Sequence, residues 1–214
     1  MTHSVAGMTA STSLDRRALS GASISTAERL LIVIATVIVM PLAVIVALRS
    51  SAEPAVLVLR SVLLGAFGAI AVVLSVIDIK QHRLPDRITL PAAGGVLLGI
   101  GAIALLERDP APLVRAAIGA AALCALLVVL ALVRPGSLGG GDVKLGLLIG
   151  TVTGWLSWGA IVVALCASFI IGGAVALVLV VTRRATARTR IAFGPPLLVG
   201  AWCALLATPF LLPL

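Results

Sequence analysis

The chain of 214 residues contains no tyrosine, four phenylalanines, three tryptophans and only eight acidic residues. Charged residues make up 11% of it, where a soluble domain usually carries about 25%. So few charges cannot cover the outside of a water-soluble fold. Disorder is excluded on the opposite ground, since it requires low hydrophobicity and high net charge, and 61% of these residues are hydrophobic. The three cysteines, Cys124, Cys166 and Cys203, stand singly inside apolar stretches. Without a CxxC pair they suggest neither a disulfide framework nor a zinc site, and they are expected to pack as small hydrophobes. No metal and no cofactor are expected.

What the chain does have is long apolar runs, and these read as an all-α, polytopic membrane helix bundle. A membrane helix needs about 20 apolar residues. On that measure there are about seven spans, near 30–48, 55–77, 88–106, 112–133, 142–157, 159–181 and 193–212. Residues 1–28, rich in Ser, Thr, Ala and Gly, read as a mobile N-terminal tail. They are not a signal peptide, because the apolar run starts only at Leu30 and is too long for an h-region. Residues 29–214 then form one transmembrane domain. From Leu145 to Thr182 there are 38 positions without a charge. That is far too long for one helix across a core of about 30 Å. The natural hairpin is Thr153-Gly154-Trp155-Leu156-Ser157-Trp158-Gly159, with glycine for the turn and tryptophans for the interface. Gly95-Val-Leu-Leu-Gly99 and the run Gly146, Gly150, Gly154 have the small-xxx-small spacing that lets helices approach closely.

The net charge of +8 invites a nucleic-acid reading, but the basic residues lie in small groups between apolar runs with no aromatic interleaving. They serve as an orientation signal instead. Arg16, Arg17, Arg29, Lys80, Arg83, Arg87, Arg134, Lys144, Arg183, Arg184, Arg188 and Arg190 fall on one side of the seven-span arrangement. Arg49, Arg60, Arg108 and Arg115 fall on the other. Twelve of the sixteen basic residues thus place the N-terminus and the second, fourth and sixth loops in the cytoplasm. The basic run 183–190 suits either anionic lipid headgroups or a simple topogenic loop.

Two acids stand out on that cytoplasmic side. Asp78 ends the apolar run Ala71-Val-Val-Leu-Ser-Val-Ile77, and Asp142 opens another. An acid at membrane depth is costly and by default suggests function; in the wet headgroup zone it means little, and position alone leaves both open. Around Asp142 the chain reads Gly139-Gly140-Gly141-Asp142-Val143-Lys144-Leu145. Three glycines before a helix cost backbone entropy. They allow close backbone approach, as of an extended substrate strand, or they make a hinge. A phosphate loop fits poorly, because no Gly-Lys-Ser/Thr follows. Beyond Asp78 comes Lys80-Gln-His82-Arg83-Leu84-Pro85-Asp86-Arg87, where Pro85 stops a helix and pushes Leu84 towards extended backbone.

Asp78 followed after six residues by Pro85-Asp86, then Gly139-Gly-Gly-Asp-Val-Lys-Leu145, resembles the type IV prepilin peptidases, the GxGD class of intramembrane aspartic proteases. Ile191-Ala-Phe-Gly-Pro-Pro-Leu197 is similar to that family's closing Pro-Phe-Gly-Pro segment, with Ala192 where the family often has proline. The three motifs run in the family's order from residue 78 to 200, each at the edge of a span. The resemblance implies that Asp78 and Asp142 are the catalytic pair, with Pro85, Gly139, Gly140, Gly141 and Lys144 as supporting or substrate-binding residues. Asp86 reads as a solvated or loop-stabilising acid, and His82 as a loop residue. Lys144 either snorkels to the headgroups or biases the charge of the pair.

Chemistry agrees with such a pairing. Two close carboxyls share a proton, so the ionised one can activate water while the protonated one donates to a peptide carbonyl. The resemblance further implies prepilin-like or Flp-type pilin precursors as partners, a basic leader cut at the cytoplasmic face of a bacterial inner membrane, and a lipid bilayer surround with no nucleic acid. Larger family members carry an N-terminal insertion with paired CxxC motifs associated with methylation. None appears in this sequence, so an N-methyltransferase activity is not expected, as in the short Flp/Tad branch. Two rivals remain: a small transporter or channel using the same carboxylates as ion relays, and a non-catalytic pilus or secretion assembly subunit.

Overall fold

A computed structural model describes residues 53–81, 84, 86–133, 138–183 and 193–211. The expected tail 1–28, the first span 30–48 and the residues His82, Arg83 and Pro85 lie outside the described residues. Those described are all-helical: α1 (Pro54–Gln81), α2 (Asp86–Glu107), α3 (Ala111–Val133), α4 (Gly140–Leu156), α5 (Trp158–Val181) and α6 (Gly194–Leu211). Four stretches, Pro54–Ile79, Arg87–Glu107, Ala111–Val133 and Trp158–Val181, are long and apolar enough to cross a membrane. The protein is a multi-pass membrane protein.

The helix ends follow local chemistry. Pro54 opens α1 at the position where a missing N–H costs nothing. Asp109 precedes α3, and its Oδ1 accepts from the Ala111 N–H at 2.9 Å. The α4–α5 hairpin corrects the expected glycine turn. A single residue, Ser157, breaks the helix in extended backbone, and its Oγ accepts from the Ala160 N–H at 3.0 Å. A serine hydroxyl supplies the cap that α5 needs, so no glycine is required. Gly154 lies inside α4 and Gly159 inside α5. The two tryptophans also part company: Trp158 is 55% exposed, whereas Trp155 is 6% exposed and belongs to the core.

Helix α4 is the central post, packed against α2, α3, α5 and α6. Its glycines explain how. A Cβ on Gly150 would fall against the Gly119 carbonyl oxygen and 2.7 Å from the Ala120 Cα of α3. One on Gly154 would lie 2.8 Å from the Arg115 carbonyl oxygen, and one on Gly146 would lie 2.8 Å from Leu127 Cδ1 and 3.4 Å from Cys124 Cα. Bare backbone on both sides lets the two antiparallel helices touch, which in a membrane replaces the missing hydrophobic drive. The Gly95/Gly99 pair does not behave this way: Gly95 faces open space, and what stands nearest Gly99 is the Leu63 side chain rather than backbone.

Helix α5 meets its neighbours through Ala160, Ala164, Ser168 and Gly172, a stripe of small residues one turn apart. Gly200 of α6 seats on it, against the Ala164 carbonyl and Ser168. The three cysteines are unpaired. Cys124 and Cys203 are half-buried as expected, but Cys166 is exposed on α5.

The end of the bundle opposite Asp78 is fastened by its few charges. Arg60 of α1 pairs with Glu107 of α2 at 2.8 Å, and its guanidinium lies 5.8 Å from the Trp155 ring centroid. Arg115 of α3 donates to the last carbonyls of α4: Gly154 at 2.7 Å, Trp155 at 2.6 Å and Leu156 at 2.9 Å. A cation at a helix C-terminus also opposes its dipole. Arg115→Met therefore costs about 2 kcal/mol, read as a Tm lower by about 4–8 °C in detergent.

Candidate active site

Asp78 stands in the last turn of α1, and Asp142 in the first turn of α4. Helices α1 and α4 each pack on α2 and α6, and both acids are almost fully buried, at 5% and 6% exposure. The charge of Asp78 reaches Asp142 as the smallest of three influences on its carboxyl, after burial and the Gly139 N–H.

Each is held by a backbone donor. Asp142 Oδ2 accepts from the Gly139 N–H at 3.0 Å, while the Asp142 N–H donates to the Gly139 carbonyl at 3.0 Å. This is one half of a capping box closed on a residue without a side chain. Asp78 Oδ2 accepts from the Gly194 N–H at 3.0 Å, a bond across 116 residues to the start of α6.

The triple glycine is resolved into three different jobs. Gly139 caps α4, whereas Gly140 and Gly141 already belong to the helix rather than preceding it. A Cβ on Gly140 would meet nothing within 4 Å, so the surface beside Asp142 is open there. On Gly141 it would lie 2.8 Å from Leu84 Cβ and 3.0 Å from the Leu84 nitrogen. Gly141 thus admits the segment after α1 against the mouth of α4, and Leu84 is buried there. Lys144 is half-buried in the same turn of α4. The Asp86 side chain lies outside the described residues, though the residue itself opens α2. Among the described residues no group of three His, Cys, Asp or Glu side chains could hold a metal.

Gly194 was not among the expected site residues. Its signal was the Pro195-Pro196 pair that follows it. Prolines have no N–H, so Gly194 is the single backbone donor among the first three residues of α6.

Two buried aspartates at helix ends, each accepting from a glycine N–H, make this end of the membrane bundle the candidate site. The chain belongs to the type IV leader peptidase family, whose model matches residues 65–177, just over half its length and inclusive of both aspartates. A prepilin leader peptidase/N-methyltransferase of Aeromonas salmonicida is 34% identical over 143 residues, 64% of this chain and 46% of the relative. That of Stutzerimonas stutzeri is 31% identical over 149 residues, 68% of this chain and 49% of its own. That of Neisseria gonorrhoeae is 33% identical over 141 residues, with 63% and 44% covered. The chain spans a little under half the length of these relatives. No solved structure matches it significantly.

Proposed function

We propose that this protein is an aspartic endopeptidase that removes the leader from prepilin-like precursors, with Asp78 and Asp142 as its catalytic pair. The observation that carries the reading is the burial of two carboxyls at one end of the bundle, beside the open surface at Gly140. Hydrolysis there needs no covalent enzyme intermediate. One carboxylate takes a proton from water as the water oxygen bonds to the scissile carbonyl carbon. The other, protonated, donates to the carbonyl oxygen. When the tetrahedral species collapses, the C–N bond breaks and a proton passes to the leaving amine. The titration belongs to the pair, so acid and base are not assigned to individual residues.

The excess of Lys and Arg beside this end supports a cytoplasmic active site in a bacterial inner membrane. That face is itself basic, so a basic leader is recognised through its membrane helix and the cleft beside the aspartates rather than by long-range attraction. We extend the proposal to Flp-type pilin precursors as substrates.

Purified protein in proteoliposomes, given a precursor with a basic leader ending in Gly before an apolar helix, is expected to release that leader. Mass spectrometry of the product locates the cut. Failure to cleave any such precursor overturns the reading. Gly141→Ala is expected to slow cleavage by about ten- to a hundredfold, because its methyl group forces Leu84 and the mouth of α4 apart; single-turnover rates check this.

A further inference from the structure

We infer that the amino end of α6 is a positioning clamp for Asp78, with Gly194 as its contact and Gly172 of α5 as its seat. The inference rests on the proposed peptidase function and adds to it a positioning role for residues 193–194, in the segment similar to the family's closing motif.

Four observations converge. The Gly194 N–H donates to Asp78 Oδ2 in a buried setting, Pro195 and Pro196 carry no N–H, and that of Leu197 is engaged with the Phe193 carbonyl. A Cβ on Gly194 would lie 2.6 Å from the same Oδ2 and 3.0 Å from Asp78 Cγ, so only glycine lets the carboxyl sit where it does. Phe193, the preceding residue, rests on α5: a Cβ on Gly172 would lie 2.5 Å from Phe193 Cε2. The Phe193 ring also packs against Phe169, with centroids 5.5 Å apart. The main chain at 193–194 is therefore held from the α5 side and presents one N–H to Asp78. Helix α5 thus reaches the aspartate through a notch, a ring and a single amide.

A carboxylate accepting from a helix amino end is favoured by both the hydrogen bond and the dipole. Its loss leaves the fold standing and displaces the oxygen that must meet water or the scissile carbonyl. The effect therefore falls on turnover rather than on substrate binding.

The test compares Gly194→Ala, Gly172→Ala and Gly173→Ala in the full chain, reconstituted with the same precursor. Gly173 neighbours Gly172, but its Cβ would meet nothing within 4 Å, so Gly173→Ala serves as the control with unchanged rates. Gly194→Ala is expected to lower kcat by about ten- to a hundredfold with KM within about twofold. Gly172→Ala should lower kcat less, and Phe193→Leu added to it should recover most of the loss by removing the ring edge that collides. Equal kcat in Gly194→Ala and the unaltered protein overturns the inference, as does a change confined to KM. If Asp78→Asn cleaves normally, the peptidase assignment itself has failed; if Asp78→Asn is inactive while Gly194→Ala is normal, only the clamp has.

Discussion

Asp78→Asn and Asp142→Asn are each expected to reduce leader removal by about a thousandfold or more, while the protein still accumulates in the membrane. General acid–base groups contribute roughly 10²–10⁴ in rate, and here each member has no substitute. Asparagine keeps the shape of the carboxyl and an oxygen that can accept a hydrogen bond. The amide oxygen introduced by Asp78→Asn can still accept from Gly194, and that introduced by Asp142→Asn can still cap α4 through Gly139, so the structural duties of both positions survive. What is lost is the capacity to take up or release a proton. The double variant should then be scarcely slower than either single one, as expected of groups acting as a unit. Processing of a co-expressed precursor, followed by immunoblot alongside the membrane level of the enzyme, checks all three. Full activity in either single variant sinks the dyad.

The largest loss of stability is expected at Gly150→Val. Its side chain would enter the backbone of α3 at Gly119 and Ala120, where no rotamer change can make room. Overpacking costs about 1–3 kcal/mol and occasionally more, and with main chain on the receiving side the upper end applies. A Tm lower by about 6–12 °C follows at this chain length. Activity should fall with it, because α4 carries Asp142 two turns from the collision. Thermal unfolding in detergent is the measurement, and an unchanged Tm would show that α3 and α4 are not held by this contact. Gly95→Val, on a face that touches nothing, should leave Tm within about 1 °C.

The contrast between those glycines shows what a sequence of this kind reveals. Hydropathy locates the helices well, because the cost of charge in a bilayer is steep: the edges expected for the second to the seventh runs lie within a few residues of the helices seen, four of which are long and apolar enough to cross a membrane. It also isolates Asp78 and Asp142, since acids are scarce. It does not say which side of a span faces lipid and which faces protein, because both are apolar. Gly95-x-x-x-Gly99 and Gly146-x-x-x-Gly150 therefore looked alike, and only the second brings two helix backbones together. Ser157 escaped notice because extended backbone is open to any residue, and a serine cap leaves a weaker mark than glycine. Gly194 is 116 positions from Asp78, and local spacing carries no information about so distant a partner.

The central placement of α4 has a consequence for how such a protein can vary. Eleven of its 17 residues are buried, including every position from Leu148 to Trp155. On α5 only Ala160, Ala164, Ser168 and Gly172 are buried among 24. A saturation library would accordingly score most of α4 as intolerant and α5 as intolerant at about one position in six. Neutral drift is then confined to the lipid-facing shell, where Leu, Ile, Val and Phe interchange freely. Two descendants of one ancestor could come to differ throughout α5 while keeping the post that carries Asp142 nearly letter for letter.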